Sequence, residues 1–447
     1  MSFNKYLSIF LVVLVPAFSF AQNKNLNYSK FKQLKEEVAP PNVFRTAAGA
    51  PGHEYYQNEA DYVMSITLND KEQKITGSET IKYHNNSPDK LEYLWIQLDQ
   101  NKRAQNSNSY KIQTGNIKSI NSRSILNMDP KFEGGFNIMK VLNKDGKPLS
   151  YTIHQTMMRI NLDKPLKPKE SFEFSIDWWY NINNRMEIGG RSGYEYFEKD
   201  GNYLYTIAQF FPRMCVYNDT EGWQNKQFLG SGEFTLPFGD YDVKLTVPSD
   251  HVVAATGELV NANDILTPTQ LERLEKARKS EKEPVFIVTQ KEATKNEKSL
   301  VKAMKVWHFK AENVRDFGWA SSRKFIWDAM VVKQASKDVL AMSFYPKEGN
   351  PLWEQYSTKV VAHTLKSYSK YTFDYPYPVA ISVHTKWIGM EYPMICFNGG
   401  RPEEDGTYSE RTKYGMIGVI IHEVGHNYFP MIINSDERQW TWMDEGL

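Results

Sequence analysis

The sequence predicts a multidomain protein in which an N-terminal β-domain precedes an α/β domain. Three observations support this fold class. Apolar and polar residues alternate through much of residues 51–345, as they do in half-buried strands. Helical spacing of the apolar residues replaces this alternation near Pro351. The chain has 447 residues, which is more than a single domain normally contains.

The strand pattern is clearest in four runs. The first run places Tyr62, Met64, Ile66 and Leu68 on one face, and the others lie at 75–83, 172–178 and 241–247. Turn-forming residues separate these runs, as in the Asn-Asn-Ser-Pro cluster after the second one. Period-two runs separated by turns indicate antiparallel sheets, so a sandwich-like domain is expected. A charged helical insertion is predicted near 268–283.

Helical spacing defines the α/β part of the chain, which we assign to residues 346–447. The apolar residues with this spacing are Tyr356, Val360, Val361, Leu365 and Tyr368. A short apolar run at 379–383 is typical of a strand. Residues 416–429 are apolar on nearly every side, which predicts a helix buried through a domain core.

The first twenty-one residues have the pattern of a signal peptide. Lys5 provides a positive start, residues 6–17 are apolar, and Ser19 and Ala21 are small residues before a cleavage site at Gln22. An uncleaved amphipathic anchor is the alternative. Residues 22–50 are polar and are predicted to form a linker. We expect an exported protein, periplasmic or secreted, with no membrane span after signal cleavage, because no later run approaches about 18 apolar residues.

Net charge and cysteine content bear on the possible partners and on disulfide formation. The formal net charge is +1 and 24% of the residues are charged, so no basic field indicates nucleic acid as a partner. Cys215 and Cys396 are the only two thiols. In an exported chain they could form one disulfide, or they could remain two separate buried thiols.

A histidine pair near the end of the sequence predicts a metal site. His422 and His426 are four residues apart, so on a helix both imidazoles lie on one face. Glu445 follows after eighteen residues and would complete a His₂Glu site for one Zn²⁺ per chain, with a fourth position open for water. Glu423, beside the first histidine, is placed to act as general base. The alternative is a buried helix that carries these residues by coincidence.

These residues resemble the zinc motif of the aminopeptidase N family of gluzincin metallopeptidases, which includes leukotriene hydrolase. Two further motifs support the resemblance. Gly389, Met390 and Glu391 stand upstream of the histidine helix, where the family has G-x-M-E-N. Gln209 stands where the family has T-Q-x-E-P. The resemblance implies an N-terminal β-sandwich or saddle domain followed by the first part of a thermolysin-like catalytic domain.

The resemblance also implies roles for residues outside the metal site. Glu391 would bind the free α-ammonium of a peptide substrate as a charge-assisted pair, which limits cleavage to the N-terminal residue. Gly389, Met390 and Gln209 would help to form the substrate site. The alternatives are a strand-edge salt bridge for Glu391 and a buried structural role for Gln209.

The sequence departs from the family pattern in several places. The first Gly of G-x-M-E-N is Ile388 here, and its Asn is Tyr392. A second acid that binds the substrate amine in many relatives would fall at Phe211. Relatives also have a catalytic tyrosine and a helical domain well downstream of the third zinc ligand. The sequence stops two residues after Glu445, so the resemblance predicts an incomplete catalytic domain. Tyr392 is an alternative candidate for the missing tyrosine.

The sequence therefore predicts a zinc metallopeptidase that removes N-terminal residues from peptides. Zinc-activated water would attack the scissile carbonyl, and Glu423 would accept the proton from that water. One alternative keeps the zinc chemistry without a free-amine requirement, as in an endopeptidase or another hydrolase. A second alternative is a non-catalytic peptide-binding module that uses zinc for stability. Retention of the base Glu423 argues against this module, because structural zinc needs ligands only.

Overall fold

The computed structural model describes residues 41–110 and 131–446. The chain divides into two compact units, Met1–Tyr55 and Tyr56–Leu447. The described part of the first unit contains a turn in which the Asn42 side chain accepts from the backbone N–H groups of Phe44 and Arg45, at 2.8 and 2.9 Å. The predicted signal peptide at 1–21 and most of the linker at 22–50 lie outside the described residues, so both stay predictions.

The second unit contains all the strands that the described ranges include. In chain order they begin with β1 (Glu59–Asn69), β2 (Lys74–His84), β3 (Leu91–Gln97), β4 (Asn137–Asn143), β5 (Tyr151–His154), β6 (Met157–Leu166), β7 (Ser171–Asn181) and β8 (Gly193–Phe197). They continue with β9 (Asn202–Ile207), β10 (Arg213–Met214), β11 (Tyr217–Asn218), β12 (Gly222–Trp223), β13 (Gly239–Pro248), β14 (Val252–Ala255), β15 (Glu258–Leu259) and β16 (Val285–Val288). The last ones are β17 (Met304–Val314), β18 (Trp319–Ser322), β19 (Ile326–Lys333), β20 (Asp338–Tyr345), β21 (Val379–His384), β22 (Gly389–Tyr392) and β23 (Ile395–Asn398).

Helices are fewer and lie mostly in the second half of this unit. They are α1 (Arg185–Ile188), α2 (Ala262–Ile265), α3 (Pro268–Ala277), α4 (Gln290–Asn296), α5 (Leu352–Tyr371), α6 (Glu410–Gly425) and α7 (Trp442–Glu445). Short 3-10 turns occur at Asp99–Arg103, Asn108–Tyr110 and Lys347–Gly349. Among the residues that the structure describes, no helix is long and apolar enough to cross a membrane.

A seven-stranded sheet forms the centre of the β-rich part. Its order is β15-β17-β13-β1-β2-β7-β4, with β1 antiparallel to β2 and parallel to β13. Tyr62, Met64, Ile66 and Leu68 are all buried on one face of β1, as the alternation predicts. The predicted runs at 75–83, 172–178 and 241–247 also lie within strands, namely β2, β7 and β13.

Two four-stranded sheets accompany the central sheet. Their orders are β10-β3-β6-β5 and β14-β18-β9-β8. Buried side chains from all three sheets belong to one contiguous hydrophobic core. Trp178 of β7 is fully buried, and its indole N–H donates to the Phe210 carbonyl at 3.0 Å. The segment after β9 is therefore held against the central sheet, and the predicted β-rich architecture is confirmed.

A six-stranded sheet carries the two long helices. Its order is β16-β19-β20-β21-β23-β22, in which β20, β21 and β23 run parallel and β22 is an antiparallel edge strand. Helices α5 and α6 pack against this sheet and against each other. The fold is thus β-rich with an α/β portion, as predicted. The domain boundary predicted at residues 345 and 346 falls between two neighbouring strands of this sheet.

The helix predicted near 268–283 is present as α3. It begins with a capping box, in which the Thr267 hydroxyl accepts from the Gln270 N–H at 3.3 Å and the Gln270 side chain accepts from the Thr267 N–H at 2.9 Å. Leu274 and Ala277 are buried in the hydrophobic core. The segment is therefore packed on one side, although its sequence is highly charged.

The prediction that residues 416–429 are buried on nearly every side is wrong for one face. Helix α6 begins after Ser409, whose hydroxyl accepts from the Thr412 N–H at 3.1 Å, and it ends at Gly425. Met416 and Ile420 are buried against the sheet, but Gly418 and His422 are exposed. No element within the described ranges covers this side. An all-apolar helix indicates burial only where tertiary neighbours exist on each side.

The two cysteines remain separate thiols, one of the two alternatives left open by the sequence. Both are buried and free. Cys215 lies 3.9 Å from the Met157 sulfur, whereas Cys396 donates to the Ile381 carbonyl at 3.3 Å. Burial raises the pKa of the Cys215 thiol to about 12, so it is inert as a nucleophile near neutral pH.

A buried ion network connects the β-rich part to the segment that leads to α7. Arg213 donates to Asp316 at 2.6 Å and pairs with Asp99. Arg438 also donates to Asp99, at 3.3 Å. Nearby, Glu437 accepts from the Phe234 N–H at 2.8 Å. Because these charges are buried, each depends on its partners to offset the cost of removal from water.

We expect Arg213→Met to destabilise the protein strongly. The substitution leaves Asp316 buried without its cation, and loss of one partner of a buried ion pair costs about 3–5 kcal/mol in the free energy of unfolding. The measurement is the midpoint of urea unfolding. Lys199→Met is the control, because Lys199 pairs with Glu404 at an exposed position and its loss should hardly shift the midpoint. Equal shifts for both variants would contradict the buried-network assignment.

Candidate metal centre and substrate cleft

Three side chains meet at the end of helix α6. His422 lies in the last turn of the helix and His426 directly follows it as the C-cap, and their Nε2 atoms are 3.1 Å apart. Glu445 comes from the short helix α7, and its Oε2 lies 3.0 Å from His422 Nε2 and 3.5 Å from His426 Nε2. The three residues that the sequence singled out as metal ligands are therefore brought together.

The spacing of these donor atoms fits one bound zinc ion. Donors at about 2.0–2.2 Å from a tetrahedral ion lie roughly 3.3–3.6 Å from one another. The observed distances of 3.0–3.5 Å approach that range. Two imidazoles and one carboxylate are also a donor set that zinc uses in catalytic sites. Within the described residues, no fourth His, Cys, Asp or Glu joins this group, so one position is open.

One side of the metal centre is exposed to solvent and the other side is buried in the protein. The side chains of His422 and Glu445 are 52% and 55% exposed, whereas His426 is buried. Burial, and then the neighbouring His422, lowers the pKa of His426, which favours the neutral imidazole that a metal requires. The Nδ1 atom of His426 lies 3.7 Å from the Asp444 carboxylate, which is beyond hydrogen-bond distance.

Glu423 lies on the same turn and is buried. Its Oε2 has no hydrogen-bond partner in the described part of the chain. Burial raises the pKa of Glu423 to about 7, and a hydrogen bond with Glu391 opposes this rise. Gly389 of strand β22 packs directly on it, because a Cβ at residue 389 would overlap the Glu423 carboxylate. Only glycine leaves this side of the strand open to the carboxylate.

Glu391 lies two residues further along strand β22 and is also buried. Residues two apart on a strand share a face, so Gly389 and Glu391 both point toward Glu423. One donor atom each from Glu391, Glu423 and His426 lie within 4.8 Å of one another. Burial raises the pKa of Glu391 well above its usual range, and the negative charges of Asp444 and Glu423 add to the effect.

Glu391 has no Lys or Arg partner among the described residues, so the strand-edge salt bridge considered from the sequence is not present there. Its Oε1 is buried without a hydrogen-bond partner in the same ranges. A carboxylate in this state is costly unless a cation binds it. Met390 alternates to the opposite face of β22, and its side chain belongs to the hydrophobic core.

Gln209 and Phe211 are buried in the segment after β9. The Gln209 carbonyl accepts from Gln100 Nε2 at 3.0 Å, and its own Nε2 has no partner within the described ranges. Phe211 packs edge-on against Tyr62 with ring centroids 5.4 Å apart. The position at which the resemblance places a second acid is therefore part of an aromatic core.

Tyr392 is fully buried next to Glu391 in the strand, on the other face. Its ring contacts Phe234 with centroids 5.4 Å apart. Its hydroxyl has no partner in the described residues, and burial raises its pKa well above the usual range. This position disfavours Tyr392 as a group that could reach a substrate at the metal centre.

Sequence reasoning missed Arg191, Glu233 and Asp444. Arg191 donates through Nε to Glu233 at 3.1 Å, and its positive charge acts on both Glu391 and Glu423. Arg191 and Glu233 do not stand in a recognisable motif, and they are 42 positions apart in the sequence. Asp444 could have been noticed from the sequence, because it directly precedes Glu445.

A large cavity lies away from the metal centre. It has a volume of about 1170 Å³ and is bounded by Arg401, Lys347 and Trp387, among other residues. None of the residues predicted for catalysis, metal binding or substrate binding lines it. The metal centre, in which His422 and Glu445 are partly exposed, is therefore separate from this cavity.

Comparison with known proteins supports the fold. No protein-family model and no curated protein matches the sequence. Solved structures do match. One is an M1 zinc metallopeptidase from Deinococcus radiodurans, with a TM-score of 0.52 and 13% identity over 87% of this chain and 68% of that chain. A mutant of the enzyme from that organism has a TM-score of 0.51 and 13% identity over 89% of this chain and 70% of that chain.

A third match is a two-domain M1 zinc metallopeptidase mutant bound to L-arginine, with a TM-score of 0.50, 12% identity, and coverage of 87% and 68%. The chain shares its fold with M1 zinc metallopeptidases. This likeness confirms the expected architecture of a β-domain followed by the start of a catalytic domain. The leukotriene hydrolase-like subtype and the truncation stay predictions.

The geometry predicts one Zn²⁺ per chain, and His426→Ala tests this. Removal of one imidazole leaves two protein ligands, which are too few for a stable catalytic zinc site. We expect about one equivalent of zinc in the wild type and much less in the variant, as measured by metal analysis after dialysis. His363→Ala is the matched control, because His363 is an exposed histidine on helix α5. Equal zinc in all three proteins would refute the ligand assignment.

Proposed function

We propose that this protein is a zinc-dependent aminopeptidase that removes N-terminal residues from peptides. One observation carries the proposal. The donor atoms of His422, His426 and Glu445 converge, and two buried carboxylates without a Lys or Arg hydrogen-bond partner in the described ranges, Glu423 and Glu391, lie beside them. A metal group flanked by a candidate base and a candidate ammonium site matches the needs of this reaction.

His422, His426 and Glu445 would hold the zinc. When bound, it would acidify a water molecule and polarise a carbonyl group. Glu423 would accept a proton from water and deliver it to the leaving amine. The Glu423 pKa of about 7 suits both the acceptance and the donation of a proton near neutral pH. Its Oε2, which has no hydrogen-bond partner in the described residues, would carry that proton.

Glu391 would bind the α-ammonium group of the substrate. Its burial and lack of a Lys or Arg partner within the described ranges support this role, because a bound cation would offset the cost of a buried carboxylate. A positive charge would also bring the raised pKa of Glu391 back down and keep the group ionised. The L-arginine bound by one structural neighbour is a free amino acid with such an ammonium group.

Two alternatives use the same residues differently. A zinc endopeptidase or other hydrolase would not need a free amine, and Glu391 would then be a neutral buried acid. A non-catalytic zinc-stabilised module would favour a closed site with four protein ligands. The three-ligand group and the buried, partly unpaired Glu423 support catalysis over this module.

We also propose that the protein is exported to the periplasm or outside the cell, on the basis of the signal-peptide pattern at residues 1–21. Cleavage after Ala21 would leave Gln22 as the first residue. Mass spectrometry of the N-terminal peptide from exported protein tests this. A peptide that still begins at Met1 would contradict the proposal.

Glu423→Gln should abolish most turnover without loss of zinc. The amide keeps the shape of the side chain but cannot accept a proton, so kcat should fall by about 10²–10⁴-fold. Wild-type activity should decline as the pH falls through about 7, because protonation of Glu423 removes the base. Steady-state rates and metal analysis provide the readouts.

Glu410→Gln is the matched control for this experiment, since Glu410 is an exposed glutamate in the first turn of the same helix. It should keep wild-type rates. Full activity of Glu423→Gln in a preparation free of wild-type enzyme would exclude Glu423 as the base.

A free N-terminus should be required for efficient cleavage. Acetylation removes the ammonium and leaves Glu391 unpaired, so a dipeptide amide should be cleaved much faster than its N-acetyl derivative. Glu391→Gln should reduce kcat/KM for the free-amine substrate by about 10-fold to 100-fold, the value of a charge-assisted hydrogen bond. Glu312→Gln, at an exposed strand position, is the control. Equal wild-type rates on both substrates would support the endopeptidase alternative.

A further inference from the structure

The side chain of Asn427 joins the end of helix α6 to the strand that carries Glu391. Asn427 directly follows the candidate ligand His426 and is 2% exposed. Its backbone N–H donates to the Val424 carbonyl at 3.2 Å, so the residue continues the path of the helix. Its side-chain Oδ1 accepts from the backbone N–H of Met394 at 2.7 Å. Met394 lies in the turn between β22 and β23, so this bond connects the two halves of the site.

That turn has an unusual backbone conformation. Tyr392 and Ile395 pair across the hairpin, so Pro393 and Met394 form its two-residue connection. Met394 has a φ of 66°, in the left-handed region. Gly or Asn is the usual residue where a turn requires a positive φ, because a Cβ crowds the following carbonyl group. A methionine stays in this conformation only where the surrounding contacts hold it there.

Hydrogen bonds from three segments hold the turn. The hydroxyl of Thr256, which follows β14, donates to the Pro393 carbonyl at 2.9 Å. The N–H of Ile381 in β21 donates to the Met394 carbonyl at 2.9 Å. These two bonds attach the turn to the β-rich part and to the six-stranded sheet. The bond to Asn427 attaches it to the segment that carries the metal centre.

The hairpin transmits the position of its turn to Glu391. Glu391 pairs with Cys396 and Gly389 pairs with Asn398 in the ladder between β22 and β23. Glu391 precedes Met394 by three residues, which is about 10 Å of extended strand. Because the ladder fixes the register of the two strands, a shift of the turn moves the Glu391 carboxylate as well. The distance from Glu391 to the metal centre therefore depends on the Asn427 contact.

We propose that Asn427 is a positioning residue that sets the separation between Glu391 and the metal centre, and thereby selects peptides with a free N-terminus. This inference rests on the proposed function, with the α-ammonium at Glu391 and the scissile carbonyl at the metal centre. A single carbon atom separates these two substrate groups, so both are bound at once only at one spacing. A displacement of about 1 Å is enough to cost about 100-fold in rate when two groups must be aligned.

Two hydroxamates that differ only in the α-ammonium group test this spacing. They are the hydroxamates of L-leucine and of 4-methylpentanoic acid, and both chelate zinc through the same group. Binding to the zinc-loaded full chain is measured by titration calorimetry, which requires no turnover. The wild type should bind the leucine compound about 10-fold to 100-fold more tightly, the value of one charge-assisted hydrogen bond. Asn427→Ala should remove most of this ratio, while zinc content and affinity for the compound without the amine stay at the wild-type level.

Two further substitutions at this position separate the hydrogen bond from the packing. Asn427→Asp keeps an acceptor for the Met394 N–H and should keep most of the ratio. Asn427→Leu fills the same space without an acceptor and should lose the ratio as Asn427→Ala does. It also provides the test if the smaller alanine prevents folding.

Asn85→Ala is the matched control, because Asn85 is also fully buried and bonds to backbone groups. Its Nδ2 donates to the carbonyls of Asp89 and Leu166 at 2.8 and 3.2 Å, in the β-rich part. We expect this variant to keep the wild-type ratio even where its urea unfolding midpoint falls. A loss of the ratio in Asn85→Ala equal to that in Asn427→Ala would overturn the proposal, because general destabilisation would then explain both.

The remaining outcomes separate this inference from the proposed function. A wild-type ratio that survives in Asn427→Ala would overturn the positioning role alone. So would an equal weakening of both hydroxamates, because Asn427 would then support only the metal centre. Equal binding of the two compounds by the wild type would refute the role of Glu391 in the proposed function, and this inference with it. If the ratio depends on Asn427 but the wild type cleaves no peptide, the positioning role stands and the peptidase proposal fails.

Discussion

The packing of helix α6 on strands β22 and β23 is the constraint on which the site depends. Gly389 admits the Glu423 carboxylate against β22, so the last turn of the helix and the edge strand approach without a side chain between them. This contact brings the base, Glu391 and His426 together. It also excludes water from acids that have no Lys or Arg hydrogen-bond partner in the described chain, and their raised pKa values are the physical result.

Buried ion pairs hold the other half of the site. Glu445 follows α6 after a segment with little regular structure. Glu437 lies in that segment and accepts a hydrogen bond from the Phe234 N–H. Arg438 reaches Asp99, which also pairs with Arg213. Contacts with the β-rich part therefore fix the position of the segment that carries Glu445, the third candidate metal ligand. Buried networks of this kind hold one geometry well, because each unpaired alternative is costly.

Charge in the site is unevenly balanced. Glu391 and Glu423 are buried and have no Lys or Arg hydrogen-bond partner in the described residues. Arg191, by contrast, donates to Glu233 at 3.1 Å. A ligand with a positive group would therefore stabilise the ionised forms of the two acids, which is the electrostatic basis of the proposed function.

The sequence by itself determined the local features. The strand faces and the histidine pair follow from periodicities of 2 and 3.6, which act over a few residues. It also identified Glu445 and Glu391 through spacing and resemblance. Only the tertiary structure decided which sides are covered. It left one face of α6 open, placed Met390 in the core, and brought Arg191 to Glu233 across 42 positions. Burial and charge pairing depend on distant segments, and no local pattern encodes such contacts.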